Sequence, residues 1–225
     1  MQKMPYYPVN LDVRHRPCLV VGGGRVGTRK VKTLLDCGAR VTVISPRVTA
    51  ELEALAGQHR IEWLKREYCR SDLDRAFLVI GATDDSDLNR EIHRDAEAAR
   101  RLCNITDNPA LCNFIVPAVI RRGDLMIAVS TAGKSPAFAK HLRRQLERQF
   151  GPEYSLFLDL MGAVRKQLLA CGHDPASHKR LFEQLIEKGL LETIRSRDIP
   201  GTNALLTRVL GPGFDYSTLM ETEQG

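Results

Sequence analysis

No run of apolar residues in this chain is long enough to span a bilayer, and its first residues, Met1-Gln2-Lys3-Met4-Pro5, lack a signal-peptide pattern. Those absences argue against a helical membrane protein and a secreted one, so no membrane partner and a cytoplasmic location are expected. The six cysteines contain no Cys-x-x-Cys pair, which removes the zinc knuckle and the disulfide scaffold as organising devices. Most of them read as small core residues in a reducing compartment. None of the six histidines stands at metal-ligand spacing, and no metal site is assigned. Aromatic residues are sparse at 6% and are not interleaved with a basic patch, so no nucleic-acid partner is expected. Tyr6, Tyr7, Tyr68, Tyr154 and Tyr216 all lack a lysine four places on, which removes the catalytic pair of short-chain dehydrogenases.

What the chain does have is enough apolar material, 43% of 225 residues, to bury one large domain or one domain with an appendage. Its net charge of +6 suits an anionic ligand, and a solvated basic surface would give the same figure. The organising stretch is Cys18 to Lys30. Four apolar residues (Cys18 to Val21) run into Gly22-Gly23-Gly24-Arg25-Val26-Gly27 and then into helical spacing at Val26, Val31, Leu34 and Leu35. The glycines fall as G-x-G-x-x-G between a strand and a helix. Gly22 permits a tight turn, Gly24 lets a pyrophosphate reach bare backbone, and Gly27 lets helix and strand pack closely. Amides at the helix start then face negative charge. The pattern departs from the dinucleotide fingerprint at the second strand, Arg40 to Ile44. That strand ends in Ser45-Pro46-Arg47 with no carboxylate for the ribose. Arg47 suits a 2′-phosphate or plain solvent, so this motif leaves NAD and NADP both open.

Further along, Val48 to Ala56 reads as a helix and Ile61 to Leu64 as a strand. Ala76 to Ile80 reads as a central parallel strand. It breaks into Gly81-Ala82-Thr83-Asp84-Asp85, a loop at a strand's C-terminal end, where doubly wound sheets bind ligands. A helix from Asp87 to Arg100 and a strand from Leu102 to Ile105 complete an α/β pattern. The texture then changes. Asn113 to Ile120 and Leu125 to Thr131 read as a hairpin turning at Arg121-Arg122-Gly123-Asp124, with Pro117 at an edge or bulge. Ser135-Pro136 opens a basic helix reaching Phe150. Helices follow over Glu153 to Ala170, His178 to Lys188 and Asn203 to Leu210, then a polar tail expected to fray. The lead-in Tyr6, Tyr7, Pro8, Val9 and Leu11 is expected to lie against the sheet edge. The fold expected is therefore a Rossmann-like parallel sheet (residues 1–112), a β-hairpin and helix module (113–150) and a helical C-terminal domain (151–225).

Several motifs in order resemble the precorrin-2 dehydrogenase family, which also forms the N-terminal part of siroheme synthases. They are Val21-Gly22-Gly23-Gly24-x-Val26 with Arg29-Lys30, Ala82-Thr83-Asp84-Asp85 with Asn89, and Cys103-Asn104-Ile105-Thr106-Asp107. Phe114-Ile115-Val116-Pro117 and Ala128 to Pro136 complete the set. The likeness covers about the first two thirds of the chain, and the last stretch matches only in being helical. The family more often has alanine at the Gly27 position, a change expected to be harmless. With no methyltransferase module following, the likeness is to the stand-alone enzyme. It implies NAD-dependent oxidation of precorrin-2, a polycarboxylate tetrapyrrole, in a homodimer joined through the hairpin and basic helix. Some members also insert iron into the product. It assigns Asp107 as the base that takes a proton while the hydride leaves. Read from spacing alone, Asp107-Asn108-Pro109 is equally an ordinary turn. The cofactor set expected is Gly22, Gly23, Gly24, Arg25, Val26, Gly27, Ser45, Pro46, Arg47 and Thr83. Asp84 and Asp85 are expected to shape that loop. Ser130, Thr131, Lys134 and Ser135 are expected to meet substrate carboxylates. Cys103 and Cys112 bracket Asp107 and are read as buried cysteines, not ligands. The contrasting reading is a non-enzymatic NAD-binding regulatory domain, which would bind the cofactor without turnover and leave the Asp107 segment without a purpose.

Overall fold

A computed structural model describes residues 6–106 and 108–221. The chain divides into two compact units, with the boundary between Val116 and Pro117.

The first unit is the α/β sheet that the alternating pattern predicts. Its parallel strands are β1 (Pro17–Gly23), β2 (Arg40–Val48), β3 (Glu62–Leu64), β4 (Leu78–Gly81) and β5 (Leu102–Ile105), in the order β3-β2-β1-β4-β5. Helices α1 (Arg25–Asp36) and α2 (Ala50–Gly57) cover one face, and α3 (Ser86–Ala98) covers the other. The period of two along β1 divides its side chains between two cores. Cys18 and Val20 join Val31, Leu34 and Leu52 on the α1 side. Leu19 and Val21 join Val79, Ile92 and Ala96 on the α3 side. Each such buried aliphatic contributes roughly 1.5–3 kcal/mol, which is why β1 tolerates no polar residue.

Local signals set the helix ends. Gly38, at φ +75°, takes the left-handed conformation after α1, and its N–H and that of Ala39 close back on Leu35 and Leu34. Asp85 caps α3, its carboxylate accepting the Asp87 and Leu88 amides at 2.8 and 3.1 Å. The chain builds outward from β1 through β2 to β3, then returns across the sheet to β4 on the other side of β1. The topological switch point therefore lies between β1 and β4, and a crevice is expected above their C-terminal ends.

The second unit pairs a hairpin with helices. Strands β6 (Ala118–Arg122) and β7 (Leu125–Val129) are antiparallel, with Arg122 opposite Leu125. The turn is therefore only Gly123-Asp124, shorter than expected, with Gly123 at φ +56°. Pro117 precedes the first strand, so it removes no ladder hydrogen bond. Helix α4 (Pro136–Gln149) packs on the hairpin, and Arg122 ties the two by donating to the Phe150 and Glu147 carbonyls. Helices α5 (Glu153–Ala170), α6 (Pro175–Glu187), α7 (Leu190–Arg195), α8 (Ile199–Leu210) and α9 (Tyr216–Glu221) then form their own core.

Two expectations are corrected here. The lead-in does not lie on the sheet edge: Tyr7 is 87% exposed and Val9 66%. Residues up to Glu221 do not fray, because Phe214 and Leu219 are buried against α5 and its neighbours. Phe214 and Leu219 carry that docking with Tyr216 and Met220 packed beside them, and a reading that weighs only the polar residues around them passes over it. Leu219→Ala should therefore cost about 2–5 kcal/mol, read as a lower urea midpoint. A frayed tail would leave the midpoint unchanged.

Candidate functional site: a dinucleotide cleft at the switch point

The crevice is present. A cleft of about 1250 Å³ opens over the C-terminal ends of β1, β2, β4 and β5. Nine of the ten expected cofactor residues line it: Gly22, Gly23, Gly24, Arg25, Val26, Ser45, Pro46, Arg47 and Thr83. The tenth, Gly27, lies beneath them and is buried.

The glycines divide by what a Cβ would meet. At Gly22, with φ +109°, it would stand 2.4 Å from the Ala82 carbonyl oxygen. At Gly23 it would meet the Arg47 carbonyl at 2.5 Å. At Gly27 it would come to 2.1 Å from the Gly22 carbonyl, so alanine is not harmless in this chain as it stands. Gly24 is different. Nothing lies within 4 Å of its absent Cβ and its φ is −77°. Neither packing nor backbone requires glycine there, so the open cleft is left as the reason. This residue is also the N-cap of α1 and offers no side-chain cap. The first-turn amides are thus left for an outside acceptor.

The walls are ordered. Ser45 is buried and its hydroxyl donates to the Arg47 carbonyl at 2.6 Å, bending the end of β2, while the Ser45 carbonyl accepts from Trp63 Nε1 at 3.0 Å. Its hydroxyl is therefore committed, and the 45–47 stretch presents Pro46 and Arg47 as its exposed residues. Across the cleft, the Thr83 hydroxyl reaches the Asp85 carbonyl and Asn89 Oδ1, and Asn89 Nδ2 donates back to the Thr83 carbonyl. Asp85 is spent on its cap, and Asp84 is exposed at the rim.

Other lining residues escaped the sequence reading. Arg66, held by both oxygens of Asp72, and Tyr68, whose hydroxyl donates to Asp95 at 3.0 Å, follow the end of β3. Burial and that hydrogen bond push the Tyr68 phenol well above its ordinary range, so it stays a donor. The switch-point rule, applied to β3 as it is to the other strands, would have found them. Thr106 and His93 also line the cleft, and Thr106 Oγ1 and His93 Nδ1 are buried without a hydrogen-bond partner among the described residues. Buried unpartnered polar atoms are costly and mark where a ligand's polar groups can bond.

Asp107 lies outside the described residues; its sequence neighbour Thr106 is on the cleft wall. The loop from Ser130 to Ser135 belongs to the second unit. Thr131 Oγ1 accepts the Ser135 amide and Ser130 Oγ accepts the Ala132 amide, while Ser135 caps α4. Ala132 and Gly133 are both left-handed, at φ +51° and +80°. All four expected substrate contacts are brought into this one loop. Burial pushes the Cys103 thiol up to about 12, so it stays protonated. Among the described residues no group of three or more His, Cys, Asp or Glu is placed to hold a metal ion.

The bare Gly24 surface and the unpartnered Thr106 hydroxyl at the other side of the switch point fit a ligand with a pyrophosphate at its centre and polar groups at its end. Fold and cleft thus define an NAD(P)-binding α/β protein of the doubly wound kind. The comparisons agree. Residues 9–118 match the family described as Putative NAD(P)-binding, and residues 122–149 match Sirohaem biosynthesis protein central. Siroheme synthases from Thioalkalivibrio sulfidiphilus and Mannheimia succiniciproducens are 38% and 35% identical to the chain over 94% and 87% of its length. The matched segments cover 43% and 41% of those relatives, so the chain spans about two fifths of the curated proteins it matches. A solved structure, "SirC, precorrin-2 dehydrogenase", shares the fold with a TM-score of 0.77 at 24% identity, covering 91% of this chain and 99% of that one. The chain is thus similar over most of its length to a segment of siroheme synthases, and it carries the two family segments named above.

The two glycines separate binding from folding. Gly24→Asp should abolish NAD binding by calorimetry while leaving circular dichroism and melting unchanged, because its side chain enters only open cleft. Gly27→Ala should lower the melting midpoint, because its Cβ overlaps a carbonyl. Wild-type affinity in Gly24→Asp would sink the cofactor assignment.

Proposed function

We propose that this chain oxidises precorrin-2 to sirohydrochlorin with NAD, as a cytoplasmic homodimer in tetrapyrrole biosynthesis. The observation that carries the reading is the cleft. It joins a bare glycine turn to the Thr106 wall directly before Asp107, in a chain with a segment that matches a family named for sirohaem biosynthesis. When bound, NAD supplies the acceptor for a hydride from the macrocycle.

The chain's own residues do the rest. The amides of the α1 first turn and the Gly22–Gly24 backbone hold the pyrophosphate, with Arg25 beside them. Pro46 and Arg47 would hold one end of the cofactor, and the backbone of Thr83 and the hydroxyl of Thr106 would hold the other. Asp107 takes the proton that leaves with the hydride. The cationic and hydroxyl groups of Ser130, Thr131, Lys134 and Ser135 meet the substrate's carboxylates. NAD rather than NADP follows from the family likeness, and it leaves Arg47 exposed at the rim with no 2′-phosphate to clamp.

Incubation with precorrin-2 should produce sirohydrochlorin, followed by absorbance, at higher kcat/KM with NAD than with NADP. Asp107→Asn should bind NAD normally and lose about 10²–10⁴-fold in rate. A turn aspartate would tolerate asparagine, since both make the same local hydrogen bonds. Tight NAD binding with no turnover by the unaltered chain would favour the regulatory-domain reading.

The dimer is supported by the hairpin. Its outward face carries Val119, Met126 and Ala128 with Arg121 beside them, and the described two-stranded sheet has both edges unpaired. Such a surface invites a second copy. Sedimentation at micromolar concentration should show a dimer, and Met126→Lys should shift it toward monomer. A stable monomeric wild type refutes the assembly.

A further inference from the structure

Cys112 does not line the cleft, yet its half-buried thiol sits where several polar groups converge. It accepts from the Ile105 amide at 3.2 Å and from Asn104 Nδ2 at 3.6 Å. Its S–H faces the Ile105 and Asn108 carbonyls, both at 3.2 Å. Ile105 and Asn108 flank Thr106-Asp107 in the sequence, and the Asn108 amide also donates to the Ile105 carbonyl at 3.3 Å. One side chain therefore bonds both ends of the shortest segment that contains the unpartnered Thr106 hydroxyl and Asp107.

The neighbouring residue continues the arrangement. Asn113 Oδ1 accepts the Cys103 amide at 2.7 Å and its own amide donates to the Cys103 carbonyl at 3.1 Å, so the chain leaving the loop is laced to the free edge of β5. Burial pushes the Cys112 thiol upward, against the pull of the Ile105 amide and the Lys30 charge. At neutral pH it is an S–H with a proton to donate, not a thiolate nucleophile.

We infer that Cys112 is a positioning residue for the oxidation: its thiol clasps the loop carrying Asp107 and acts through that loop, without touching the substrate. The inference rests on Asp107 being the base. Placement of a reacting group is sensitive to displacements of an ångström, which can cost about a hundredfold in rate. Serine keeps a donor at this position, whereas valine keeps the volume and loses the donor. The full chain with Cys112→Val should therefore show kcat reduced by roughly ten- to a hundredfold, with its Kd for NAD unchanged by calorimetry. Cys112→Ser should retain most of the rate.

In an Asp107→Asn background, Cys112→Val should add nothing further, because residues acting as one unit are not additive. A cysteine that only fills space gives the reverse: valine equals wild type, serine is the worse variant, and any loss adds in the Asp107→Asn background. Either result overturns the proposal. Should Asp107→Asn turn over normally, the base assignment fails, and the catalytic role of Cys112 falls with it. Hydrogen exchange then judges the clasp alone. Faster exchange at the Asn108 and Leu111 amides in Cys112→Val than in Cys112→Ser sustains it, and equal exchange removes it.

Discussion

At the C-terminal end of β1, stretches of backbone approach with no room for a side chain between them. The Gly22, Gly23 and Gly27 positions face carbonyls of Ala82, Arg47 and Gly22 at distances that any Cβ would violate. Everything else in the first unit depends on that contact. It brings the end of β2 and the β4–α3 loop against the same turn, and it seats the start of α1 on the strand it follows. The ligand's place is what remains once the backbones have closed on one another. Of the motif's glycines, only Gly24 has open space where a Cβ would stand.

The α/β architecture is legible in the sequence because β1 and β4 are apolar on both faces and the glycine turn sits between strand and helix. The nine cleft-lining residues expected from motif spacing are legible for the same reason. They lie at the C-terminal ends of strands or just beyond them, and those ends share one edge of a parallel sheet. What escapes the sequence is whatever depends on a distant partner. Gly22 needs glycine because of Ala82, sixty residues on, and no local pattern states that. Cys112 looks like any small core cysteine until Ile105 and Asn108 are placed around it. Thr106 becomes notable only when its hydroxyl is found without a partner. In the second unit, Pro117 reads as a fault inside a strand, and the structure starts the strand one residue later. The docking of Phe214 and Leu219, with Tyr216 and Met220 beside them, depends on the distant α5 core and so is not stated by the local sequence.

The edge of the sheet shows how polar side chains can stand in for a strand. Beyond β5 no sixth strand pairs among the described residues. Instead Asn113 exchanges two hydrogen bonds with Cys103, as a ladder partner would, and Asn104 Nδ2 reaches the Phe114 carbonyl at 3.1 Å. An unpaired edge would invite another chain. Here it is covered by the polypeptide that has just left it, and the price is a buried asparagine that must keep its partners.

The loop between β4 and α3 is laced by Thr83 and Asn89 in both directions and is anchored at its far end by the Asp85 cap. A loop tied in this way has little conformational freedom left to lose when something binds against it. The ordering entropy that makes many nucleotide sites slow and weak has on this wall been spent already, during folding. On this wall a ligand meets a finished surface, with no folding of the loop around the arriving molecule.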